Sequence, residues 1–139
     1  MLSLTPNAIL ITAAVCMLIS LGLAWLASFI LYAKIKSLKA IFPATHQLIR
    51  AHIDYLLMTG LLVISYYLID HLAITLPGWV ILLLCVGALY NPFGFIVLAM
   101  KPHLANPETF GQKARVLLGF LPATLGYGYT MIAVLAQLV

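Results

Sequence analysis

Acidic residues are almost missing from this sequence: Asp54, Asp70 and Glu108 are the only three among 139. Charged residues of either sign make up just 7% of the chain, where a soluble domain carries about a quarter. A water-facing globule of this size is therefore excluded. Cysteine is scarce as well. Cys16 and Cys85 stand alone, with no second Cys or His at ligand spacing, which excludes a disulfide scaffold and a structural zinc site. There is no P-loop, no dinucleotide fingerprint, no His-Glu-x-x-His pair and no low-complexity tract.

Apolar residues are what the chain has in abundance, at 65%, with a mean hydropathy of +1.16. They fall into four runs, residues 7–33, 50–69, 76–100 and 113–139, separated by short connectors. A helix needs about 20 apolar residues to cross about 30 Å of hydrocarbon, and each run is long enough. The expected fold is all-α: a single domain over residues 1–139, an integral membrane bundle of four transmembrane helices. The first run far exceeds the apolar core of a signal peptide and has no basic segment before it, so it is expected to be a resident span.

Lys and Arg are distributed unevenly. Lys34, Lys36, Lys39 and Arg50 lie in or beside the first connector, and Lys101, Lys113 and Arg115 in or beside the third. The second connector has none. The positive-inside rule then places loops 34–50 and 101–115 in the cytoplasm and both termini outside, in a membrane expected to be a bacterial inner membrane. The net charge of +4 implies lipid headgroups as partners and no nucleic acid, because its carriers sit at span edges where they snorkel toward water.

Small residues offer contact seams: Ser20, Ala24, Ala27 and Ser28 in the first span, Gly87, Ala88, Asn91 and Gly94 in the third, Gly119, Ala123, Gly126 and Gly128 in the fourth. Pro92 and Pro122 interrupt their spans and free the carbonyls of Ala88 and Leu118, which then need partners. The second span is the most polar. His52, Tyr55, Thr59 and Tyr66 share a helical stripe, while Asp54 lies on another face, one turn from Arg50, where an ion pair can form. With Arg50 as the inner boundary, His52 is expected about 3 Å deep and Asn91 about 15 Å. Polar groups inside a span are functional candidates by default, and a neutral imidazole suits iron.

The sequence Arg50-Ala51-His52 opening the second span, with an Asn-centred motif at Asn91 in the third, resembles the styrene oxide isomerases. The hydroxylaminobenzene mutases, also small four-helix membrane proteins, look related. The resemblance implies a heme b site with His52 as iron ligand and Arg50 beside it, and a ferric Lewis acid that opens an epoxide so that a hydride shift yields an aldehyde. Asn91 would be the catalytic amide, with Tyr55 and Thr59 lining the far side. Two polar positions of the family differ here: an asparagine six residues after the histidine is replaced by Met58, and a tyrosine four residues after Asn91 by Phe95. A small lipophilic substrate and a homo-oligomer complete the expectation. The competing expectations are a His52–His103 electron carrier and a cofactor-free membrane subunit or small transporter.

Overall fold

A computed structural model of the chain describes residues 5–106 and 108–139; the regular elements are all helices joined by short connectors, with no strand among the described residues. The elements are α1 (Asn7–Leu31), α2 (Lys36–Ile41), α3 (Thr45–His71), α4 (Gly78–Met100), a 3-10 turn (Pro102–Ala105) and α5 (Phe110–Leu138). Helices α1, α3, α4 and α5 are each long and apolar enough to cross a membrane. Three of the four spans match the hydropathy reading to within three residues at each end; the start of α3 departs further. It begins at Thr45, five residues before Arg50, because His46, Gln47 and Arg50 lower hydropathy without opposing a helix. The short α2, inside the first basic connector, has no hydropathy signal at all.

Sequence signals set the element ends. Thr109 and Gln112 form a reciprocal capping box at the start of α5: the Gln112 amide donates to Thr109 Oγ1 at 3.3 Å and the Thr109 amide to Gln112 Oε1 at 3.2 Å. Lys39 Nζ donates to the Pro43 carbonyl at 2.8 Å and to Thr45 Oγ1 at 3.0 Å, tying α2 to the head of α3.

Successive long helices run antiparallel, so the α1–α3 and α4–α5 connectors share one end of the bundle. Helix α3 packs against α1 and α4, and α1 also touches α4, closing a triangle; α5 rests almost entirely on α4. The shared core contains Leu23, Leu48, Tyr55, Leu62, Val80, Leu84 and Ala88. Lipid is as apolar as these side chains, so close approach and interhelical hydrogen bonds hold the helices together. Gly87 and Gly126 supply the closest approach. A Cβ on Gly87 would collide with the Ala123 backbone, and one on Gly126 would lie 2.8 Å from the Leu84 amide nitrogen. Gly94 and Gly128, of the same stripes, face open space.

The Pro92 break is approached from α1, and the turn beside it is tied to α3. Cys16 of α1 directs its thiol at the freed Ala88 carbonyl at 3.9 Å, and Tyr55 of α3 donates its hydroxyl to the adjacent Leu89 carbonyl at 2.9 Å. The requirement that lipid imposes on backbone carbonyls is thereby met inside the protein.

Candidate functional site

Helix α3 presents His52 to α1, where it meets Ser20, which is fully buried. Three contacts join the two residues. His52 Nδ1 lies 2.9 Å from the Ser20 carbonyl and 2.8 Å from Ser20 Oγ, and Ser20 Oγ lies 2.9 Å from the His52 carbonyl. One assignment satisfies all of them. A carbonyl accepts only, so Nδ1 carries the proton and donates to the Ser20 carbonyl, while the Ser20 hydroxyl donates to the His52 carbonyl. The opposite tautomer would set the Nδ1 lone pair against a carbonyl oxygen. In a neutral ring the proton on Nδ1 leaves Nε2 bare. The imidazole is thus oriented by a backbone acceptor, as in metal-ligating histidines, and its free nitrogen is the one able to bind a metal. The ring is half-buried at the edge of the α1–α3 seam.

Depth follows from register. The Ala44 amide, just before α3, donates to the Ala99 carbonyl at 3.2 Å, which levels the inner ends of α3 and α4. His52 is eight residues from Ala44 and Asn91 eight residues from Ala99, so both lie about 12 Å into the bundle. The 3 Å expected for His52 and the 15 Å for Asn91 converge on one level because α3 begins five residues earlier than hydropathy indicates. Asp54 lies about 15 Å in by the same measure.

Although level, His52 and Asn91 do not meet. Asn91 is half-buried in a groove of about 360 Å³ between α3 and α5, whose other walls include Leu61, Ser65, Phe120 and Tyr127. On α3, residues 54, 58, 61 and 65 form one stripe at helical spacing facing that groove, and Tyr127 contacts Met58 Sδ across it at 3.9 Å. His52 and Thr59 point to the other flank, toward α1. Arg50, two residues from His52, projects about 200° away from it around the helix and is exposed. It makes no ion pair with Asp54, although the spacing would allow one.

Tyr55 and Thr59 are buried and engaged. The Tyr55 hydroxyl donates to the Leu89 carbonyl of α4 at 2.9 Å, and Thr59 Oγ1 bonds the Tyr55 carbonyl at 2.9 Å and the Ala13 carbonyl at 3.3 Å. Neither side chain opens on the Asn91 groove. His103 is exposed in the 3-10 turn at the inner end, about 12 Å below the level of His52. No group of three or more His, Cys, Asp or Glu side chains able to hold a metal ion occurs among the described residues. Sequence reasoning overlooked Ser20 as the partner of His52, because its position reads equally well as a small residue in a packing seam. Only the α1–α3 register brings the pair together. The chain matches no protein-family model, no curated protein and no solved structure.

Proposed function

We propose that this protein is an integral membrane, heme b-binding isomerase acting on a small lipophilic epoxide, in which His52 Nε2 would hold the iron. One observation carries the reading: His52 Nδ1 lies 2.9 Å from the Ser20 carbonyl, a contact that suits a donor at Nδ1 and makes Nε2 the nitrogen available to a metal. A lone imidazole holds iron only when the other donors arrive with the metal, and a porphyrin brings four. When bound, heme would supply a Lewis acid able to withdraw electron density from an epoxide oxygen. Ser20 then orients His52, and the apolar faces of α1 and α3 exclude water.

Asn91 contributes as the amide that orients the substrate, and it does so from a neighbouring copy. Its level matches that of His52, but its groove opens on the opposite flank of α3, so one chain's histidine seam must face another chain's α3–α5 groove. A homo-oligomer is therefore part of the proposal. Tyr55 and Thr59 support the site by holding α3 to α4 and α1.

The detergent-purified protein should show a b-type Soret band that His52→Ala abolishes while the fold persists by circular dichroism. A colourless protein from heme-replete cells would overturn the heme reading. Activity is read as conversion of styrene oxide to phenylacetaldehyde. The orientation proposed is cytoplasmic for the two basic connectors, in a bacterial inner membrane, on the strength of the Lys and Arg asymmetry. A periplasm-dependent phosphatase fused within residues 72–75 should be active and one fused after Lys101 inactive; the reverse pattern would invert the topology.

A further inference from the structure

The corner where α1 turns into α2 gathers three lysines around one hollow. Lys34, Lys36 and Lys39, with Ile30 as the apolar floor, line a space of about 300 Å³. No acidic residue precedes Asp54 in the chain, so no internal carboxylate from this part of the sequence neutralises them. Two features hold the cluster in place. Lys39 Nζ is anchored on the Pro43 carbonyl and Thr45 Oγ1, which occupies two of its three donor protons and leaves the third for a ligand. Lys34 sits at φ 52°, a left-handed conformation in which glycine would be the easier residue.

We infer that this hollow binds the phosphate of an anionic phospholipid. Three ammonium groups around one concavity favour an oxyanion, and their position at the end of a membrane-spanning helix puts them at headgroup level. A zwitterionic headgroup would bring its own cation among the lysines, so phosphatidylglycerol or another lipid of net negative charge is the better occupant. Ile30 is buried at the base, while Leu31 and Tyr32 beside it are exposed and can lie along the acyl chains.

Native mass spectrometry of the full chain in detergent tests this, with phosphatidylglycerol, phosphatidylcholine and inorganic phosphate as probes. Wild type should retain one phosphatidylglycerol at concentrations where phosphatidylcholine is lost. Each of Lys36→Gln and Lys39→Gln should weaken retention about fivefold, the effect of one lysine near an anionic surface. Lys34→Gly should weaken it equally while leaving thermal stability unchanged or raised, since it removes the cation and relieves the backbone together. Lys101→Gln, at the same end of the bundle but outside the hollow, should leave retention unchanged. Three outcomes would overturn the proposal: equal retention of both lipids; an equal loss in Lys101→Gln, which would mean diffuse charge and no site; or displacement of the lipid by millimolar inorganic phosphate, which would mean a free-phosphate site.

Discussion

At the scale of single residues, the Ser20–His52 pair makes a graded prediction. Ser20→Ala removes the hydroxyl but keeps the carbonyl that accepts from Nδ1. Heme affinity should therefore fall by about tenfold, the low end of the range for such supporting groups, and should not vanish. Ser20→Leu, which wedges the seam apart, should abolish binding. Titration of apoprotein with hemin measures both. Tyr55 tests a different role. Tyr55→Phe removes the α3–α4 hydrogen bond to the Leu89 carbonyl and should cost about 0.6 kcal/mol, typical of a hydrogen bond between membrane helices. The measurement is unfolding in mixed detergent; Pro92→Ala restores a donor to the Ala88 carbonyl and not to Leu89, so it should leave the cost of Tyr55→Phe unchanged. A change in substrate turnover without a change in stability would return Tyr55 to the reaction. His52 and Asn91 could be picked out in the sequence because polar groups are conspicuous in an apolar run. Their common depth could not, since it depends on one backbone hydrogen bond between Ala44 and Ala99, two residues with no polar side chain to mark them.

At the scale of elements, the four spans were legible because burial in lipid demands long apolar runs, and no other arrangement suits such a composition. The start of α3 and the whole of α2 were not, because helices at a membrane edge tolerate polar residues that hydropathy reads as loop. The glycines separate packing from propensity. Gly→Ala within a helix normally gains up to about 1 kcal/mol. Gly94→Ala, which meets nothing within 4 Å, should show that gain. Gly87→Ala places a methyl against the Ala123 backbone and should reverse the sign, lowering stability by about 1–3 kcal/mol as α4 and α5 part. Thermal melts of the two variants in one detergent give the comparison directly.

At the scale of the whole molecule, the opposite flanks occupied by His52 and Asn91 predict complementation. His52→Ala and Asn91→Ala chains should each be inactive alone. Co-expressed, they should recover a fraction of wild-type turnover, because some assemblies pair an intact histidine seam with an intact asparagine groove. If the mixture is as inactive as its components, both residues serve one chain and the assembly argument fails. Helix α5 carries a further consequence. The triangle of α1, α3 and α4 is complete without it, and α5 leans mainly on α4, with close glycine contacts there and only a few contacts to α3. During synthesis the first three spans can settle before the last leaves the ribosome, and the latecomer can dock on its own α4 or on that of an adjacent chain. Exchange of this final helix between copies would leave every contact of the triangle intact.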